Sequence, residues 1–180
     1  MEMIKRIKAW WRPAPAAQPA FEVELESTDR RVKERRNAAA GTRVLIIDDS
    51  ATIVALLRRM LRQNGLVTLE AGDAEAGIEI ARAEEPDLIF LDIVLPGMNG
   101  FAALRQLRRD PLTRGIPIIM ISGNEQATEE FYVQRIGADD FMKKPFSRAE
   151  VFARVERLLD ERNQPRRMHP VAAGAEPEIA

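Results

Sequence analysis

The chain has 180 residues, 46% of them apolar and 31% charged, with a net charge of -1. That is enough for one ordinary domain with extensions, and it excludes bulk electrostatic attraction to nucleic acid. There is no cysteine and one histidine, His169, which removes disulfides, thiolate metal sites and histidine-rich metal sites.

No apolar run approaches the ~18 residues of a membrane span. The basic start Met1–Arg12 has no apolar segment behind it of the kind a secretory signal carries, so a cytoplasmic protein is expected. Composition marks three zones. Residues 1–41 hold a basic amphipathic piece, a Pro/Ala-rich linker (Pro13–Pro19) and a charged stretch ending at Gly41. Within the first piece Ile4, Ile7, Trp10 and Trp11 share one face of a short helix. Residues 3–12 therefore read either as a peptide docking on a membrane surface or a partner, or as a solvated tail. The Arg31–Arg35 spacing reads as a charged helical linker. Residues 42–162 alternate apolar runs with helical patterns, and residues 163–180, with Pro165, Pro170 and Pro177, are expected to be a disordered tail.

The middle zone is regular. A strand over 43–48 precedes a helix at about 50–63, with Ile53, Val54, Leu56, Leu57, Met60 and Leu61 at helical spacing and Asn64-Gly65 as the stop. A strand at 66–70 is followed by a helix at 74–84 that ends before Pro86. A strand at 87–91 leads through Pro96-Gly97-Met98-Asn99-Gly100 into a helix at 100–109. A strand at 117–121 precedes a helix at 125–136 with Gly137 after its end. A strand at 139–142 precedes a helix at 147–162 that opens on Ser147 with Glu150 three residues on, a capping-box pattern. Strict alternation of this kind predicts an α/β fold, a parallel sheet with helices on both faces. Ligands of such folds bind beyond the carboxyl ends of the strands, where strand order reverses.

Those strand ends carry the chemistry. Asp48 and Asp49 follow the first strand, Asp92 the third and Ser122 the fourth, while Lys144 follows the fifth. Three acids make a hard, oxygen-rich pocket that suits Mg2+. A hydroxyl and an ammonium suit the oxygens of an incoming phosphoryl group, whose transfer needs alignment and charge neutralisation. Asp92, ionised at neutral pH, needs no general base as nucleophile. Each residue alone has an ordinary explanation as a helix cap, turn former or solvated lysine; their shared edge is the signal.

The set Ile46-Ile47-Asp48-Asp49-Ser50, Leu91-Asp92, Pro96–Gly100, Ile121-Ser122-Gly123, Gly137–Phe141 and Lys144-Pro145-Phe146 resembles the receiver domain of two-component response regulators, the CheY-like family. The spacings from Asp92 to Ser122 (122 − 92 = 30) and to Lys144 (144 − 92 = 52) agree. The resemblance covers residues 42–160. It implies a flavodoxin-like, doubly wound five-stranded parallel sheet, (βα)5, with strand order 2-1-3-4-5. It implies that Asp92 is the phospho-acceptor, served by a sensor histidine kinase or phosphotransfer protein. Asp48, Asp49, Asp92 and the backbone carbonyl of Val94 would bind Mg2+, with Asp49 the more direct ligand of the pair. Ser122 and Lys144 would hold the phosphoryl group, and the Lys144–Pro145 bond would be cis. Ser122 and Phe141 would form the switch: phosphorylation draws Ser122 in, Phe141 fills the vacated space, and the surface of the fourth helix, fifth strand and fifth helix changes for a downstream protein. Phe141 stands where tyrosine is common, so this switch rests on packing.

The resemblance also implies that Val94 and Asn124 occupy positions that tune hydrolysis in that family. Arg135, Arg154, Asp139 and Asp140 are reminiscent of charged pairs at receiver dimer surfaces, which would give a dimer through that same surface, though a solvated salt-bridged face reads equally well. The short segment after the last helix leaves no room for an output domain, so a regulator with a protein partner and no nucleic acid is expected, not an enzyme beyond its own phosphoryl transfer. The motif Asp92–Gly100 is similar to that of pilus-motility regulators; chemotaxis or a relay shuttle is equally open. Competing readings are a receiver-like scaffold acting without phosphorylation, a Mg-dependent aspartate-nucleophile phosphatase and a flavin carrier. The phosphatase would need Asp-x-Asp after the first strand, where Asp48-Asp49-Ser50 stands, and the acid pair would repel a flavin phosphate.

Overall fold

A computed structural model of the chain describes residues 36–123 and 137–168. The helix expected at 125–136, the segment 3–12, the Arg31–Arg35 linker, Asn124, Arg135 and His169 lie outside the described residues.

The elements are β1 (Arg43–Ile47), α1 (Ala51–Arg62), β2 (Val67–Ala71), α2 (Ala74–Glu84), β3 (Leu88–Asp92), α3 (Gly100–Arg109), β4 (Ile118–Ser122), β5 (Asp140–Lys143) and α4 (Arg148–Arg157). Each described helix starts on a side-chain cap. Ser50 accepts from the Ile53 amide, Asp73 from Ala76, Asn99 from Ala102 and Ser147 from Glu150. α1 stops where Gly65 takes φ +76°, and α2 stops at Glu85, itself left-handed, one residue before Pro86.

All four strand pairings are parallel, in the expected order β2-β1-β3-β4-β5. The apolar runs resolve into two cores by simple alternation. Leu45 and Ile47, Ile89 and Leu91, Ile118 and Met120 face the layer of α2 and α3. Val44 and Ile46, Leu88 and Phe90, Ile119 and Ile121 face α1 and α4. Burial on both faces explains why these strands show no polar alternation in sequence.

Two boundaries differ from expectation. α4 ends at Arg157, not near 162, and residues 163–168 pack instead of forming the start of a disordered tail. Beyond Leu158 the chain turns, with the Asp160 carboxylate accepting from the amides of Arg162 and Gln164. Leu159 then bridges to Pro165, and Arg167 reaches a buried carboxylate, Asp139. The helical period continued past the point where this side-chain cap intercepts it. On the other side Ala38 is buried, the Ala39 amide donates to the Asn163 carbonyl, and the Gly41 amide to that of Gly65. The packed unit thus begins before residue 42.

Candidate functional site

Because the sheet is parallel, the carboxyl ends of β1, β3, β4 and β5 share one edge. Register sets the order there: Ile47 lies beside Leu91, Asp92 beside Ile121 and Ser122 beside Lys143. Asp48 and Asp49 continue from β1, and Lys144 from β5. All the acids, the hydroxyl and the ammonium expected at this edge are there.

Lys144 Nζ lies 2.7 Å from both Asp92 Oδ2 and Asp48 Oδ2. The other Asp48 oxygen accepts from the Ser50 amide at 2.9 Å, and Asp92 Oδ1 from the Val94 amide at 3.4 Å, which puts the Val94 peptide against the carboxylate. The Lys144 amide donates to the Ser122 carbonyl at 2.7 Å, and the Lys144–Pro145 bond is cis. Ser122 is fully buried at the end of β4. Phe141, beside Met120, lies inside the α2/α3-side core. The loop after β3 closes tightly: a Cβ on Gly100 would lie 2.0 Å from the Asp92 carbonyl oxygen, so only glycine lets α3 start there.

Electrostatics follow from crowding. Burial raises the Asp92 carboxyl above the usual aspartate range; the Lys144 hydrogen bond and charge work against that, and Asp48 adds to it. Burial alone would lower the Lys144 ammonium, yet its contacts with Asp48 and Asp92 outweigh this and raise it. Lys144 is therefore charged at neutral pH, locked between two acids.

One carboxylate oxygen each from Asp48, Asp49 and Asp92 lie within 4.8 Å of one another. Among the described residues, one ammonium, that of Lys144, stands against these three carboxylates. Asp48 Oδ2 is buried and, among the described residues and apart from its ion pair with Lys144, has no hydrogen-bond donor aligned on it. A net anionic set of hard oxygens with a poorly satisfied buried lone pair fits a divalent cation such as Mg2+. Asp92 itself is only 3% exposed. Beside it Asp49 is exposed, and Val94 is 66% exposed. From the acid pair Asp48-Asp49 a cleft of about 350 Å³ runs between Ala51, Ala55 and Gly72 to an Arg58–Glu70 ion pair of 3.1 Å. Arg58 and Glu70 were not foreseeable as cleft residues, since only the packing of α1 on β2 brings them together.

The acids expected at a dimer surface are engaged within the chain. The Asp139 side chain is fully buried on Arg108 and Arg167, and Asp140 pairs with Arg154 at 2.9 Å. Asp139 reads as a surface charge only until β4, α3 and the C-terminal segment are placed around it.

Residues 44–156 match the response regulator receiver domain family. Protein PilH of Pseudomonas aeruginosa is 38% identical over 117 residues, covering 65% of this chain and 97% of PilH. The alkaline phosphatase synthesis transcriptional regulatory protein PhoP of Bacillus subtilis is 38% identical over 117 residues, 65% of this chain, which spans about half (48%) of PhoP. Among solved structures, the receiver domain of sensor histidine kinase PA1611 from Pseudomonas aeruginosa, with a magnesium ion coordinated in its active-site cleft, is 28% identical with a TM-score of 0.59, over 66% of this chain and 96% of that one. Matched domain, sheet order and edge chemistry agree: this chain belongs to the response regulator receiver domain family of two-component systems.

Proposed function

We propose that Asp92 accepts a phosphoryl group from a phosphohistidine, on a sensor histidine kinase or phosphotransfer protein, and that the protein acts as a phosphorylation-switched regulator instead of an enzyme with a turnover substrate. The observation that carries this reading is Lys144 Nζ held 2.7 Å from both Asp92 and Asp48, with Asp49 completing the acid cluster. In the transfer an Asp92 carboxylate oxygen attacks phosphorus, the donor P–N bond breaks, and the departing imidazole nitrogen takes a proton from water. Mg2+, held by Asp48, Asp49, Asp92 and the Val94 carbonyl, would supply charge neutralisation as the phosphoryl group arrives. The chain's own part is alignment. Lys144, already against Asp92, shifts its contact to the new oxygens, and Ser122 donates its hydroxyl to them.

Phe141 lies inward in this structure, the position the switch assigns to the phosphorylated form. Phosphorylation then changes the balance between this inward arrangement and an outward one, by a few kcal/mol of differential binding. The readout is the surface of segment 124–136, β5 and α4, which would meet a downstream protein or a second copy. A pathway in pilus motility, chemotaxis or a phosphorelay, a cytoplasmic location and docking through residues 3–12 belong to the same proposal; the pilus lean rests on the Asp92–Gly100 motif. Among the described residues no helix is long and apolar enough to cross a membrane.

The test is incubation with acetyl phosphate and Mg2+ followed by intact mass. One phosphoryl adduct is expected on the wild type and none on Asp92→Ala. A wild type that stays unmodified, with donor and metal in excess, favours a scaffold acting without phosphorylation.

A further inference from the structure

Most arginines of the described residues are engaged within the chain: Arg82 on Asp110, Arg108 and Arg167 on Asp139, Arg154 on Asp140. Three exposed ones that are not follow one another in sequence. Arg105 and Arg109 stand one turn apart on the face of α3 opposite buried Ala103, Leu104 and Leu107, and Arg114 lies in the turn beyond. Among the described residues their guanidiniums have no hydrogen-bond or ion-pair partner. The one acid between Gly100 and Ile116, Asp110, is already neutralised, with Arg82 Nε 2.6 Å from its carboxylate.

Between Arg109 and Arg114 stands Leu112, 60% exposed. A lone exposed leucine is ordinary, but this one is held out by a fixed turn. Asp110 Oδ1 accepts from the Leu112 amide at 2.9 Å, and the Asp110 carbonyl accepts from the amides of Thr113 and Arg114 at 3.2 and 2.8 Å. The buried Thr113 hydroxyl donates to the Leu107 carbonyl at 2.8 Å. Met168, 52% exposed, adjoins the same turn, because Arg167 before it donates to the Arg114 carbonyl at 3.1 Å. Apolar tips among unpaired guanidiniums suit a lipid surface, with the charges at the level of the phosphates and the apolar side chains below them. A partner offering carboxylates alone would match the charges and leave Leu112 in water.

We propose that this end of α3 and the turn after it dock on an anionic lipid bilayer. The chain carries the same chemistry again in its first residues, where Lys5, Arg6, Lys8 and Arg12 stand among Ile4, Ile7, Trp10 and Trp11. Two weak membrane signals on one chain reinforce each other, since engagement of one raises the effective concentration of the other. The acid site stays clear of the lipid. α3 starts at Gly100, against the Asp92 carbonyl, and its ten residues carry the chain about 15 Å away from that edge. A domain resting on lipid through Arg109, Leu112 and Arg114 therefore leaves Asp92 open to a phosphodonor. The docking itself does not depend on phosphorylation.

The test is flotation of the full chain with phosphatidylcholine vesicles, prepared with and without phosphatidylglycerol. Expected is binding to the anionic vesicles that added salt weakens, and none to phosphatidylcholine alone. An arginine at an anionic surface contributes about five-fold in partitioning. Arg105→Gln, Arg109→Gln and Arg114→Gln combined should therefore weaken binding about a hundred-fold with residues 1–12 intact. Leu112→Ser changes no charge and should weaken it about ten-fold. Arg59→Gln, at an exposed arginine on α1 across the sheet, should bind as wild type. Wild type that ignores anionic vesicles overturns the proposal. So does a triple variant that binds like wild type, which assigns the attraction to residues 1–12, or an Arg59→Gln loss as large as that of the triple variant, the mark of diffuse charge. Leu112→Ser at wild-type affinity overturns it too, because a surface read by charge alone fits an acidic protein partner instead.

Discussion

Lys144→Ala removes the ammonium that bridges two acids. Its ammonium lies 2.7 Å from Asp48 and from Asp92, whose side chains are 0% and 5% exposed, while the lysine side chain is itself 18% exposed. Without it the two carboxylates face each other, supported by one amide each, from Ser50 and Val94. Breaking a buried ion pair by removing one partner typically destabilises by about 3–5 kcal/mol. The open side toward Asp49 places this site at the lower end, at ~3 kcal/mol near pH 7.5 without divalent cations, or roughly 10 °C in melting temperature for a domain of this size. Two conditions should relieve it. Mg2+ supplies a replacement cation, so the deficit shrinks when the metal is added. Acid relieves it as well, because Asp92 already sits above the usual range. For a carboxyl raised in the folded state, the favourable contribution of its proton is present at low pH and disappears as pH rises through the folded value. The deficit should therefore be small near pH 4 and full at pH 7.5. Urea denaturation of wild type and variant, in EDTA and in Mg2+ at both pH values, measures this. Equal stability in EDTA at pH 7.5, or a deficit that Mg2+ leaves unchanged, would refute the reasoning.

Gly100→Ala should destabilise by about 3 kcal/mol or more, because its Cβ would lie 2.0 Å from the Asp92 carbonyl oxygen and 2.9 Å from Ile93 Cα, both backbone; urea midpoints test this, and adduct formation at Asp92 should fall with it. Saturating Mg2+ should raise the wild-type melting temperature, by about 2.7 kcal/mol of added stability at 100 times its dissociation constant, and Asp49→Asn should lose most of that shift by scanning calorimetry. Arg82→Ala should lower stability at neutral pH, since the Arg82 hydrogen bond holds Asp110 below the usual aspartate range. A depressed carboxyl stabilises above its unfolded value and stops doing so as pH falls through the folded one, so wild type and Arg82→Ala should converge near pH 2 in thermal melts.

The strands and the Ser147 cap were legible because they depend on neighbours in sequence. Ser50, Asp73, Asn99 and Ser147 cap the helices that follow them by reaching amides three residues on, and Asn64-Gly65 and Pro86 end helices through their own backbone limits. The end of α4 was not legible. Its apolar period runs on toward residue 162, but the Asp160 carboxylate turns the chain and Pro165 closes a bridge with Leu159. Asp139 was misplaced for the same reason: its partners Arg108 and Arg167 lie 31 and 28 residues away.

Sequence by itself determined that four of the five strands, the first, third, fourth and fifth, would deliver particular polar residues to one sheet edge, because side-chain type and strand end are local properties. Tertiary structure alone decided that Lys144 bridges Asp48 and Asp92, that Arg58 and Glu70 wall the cleft beside them, and that the segment after α4 is anchored on Asp139. Those contacts depend on strand register and layer packing, which bring together groups that no local rule connects.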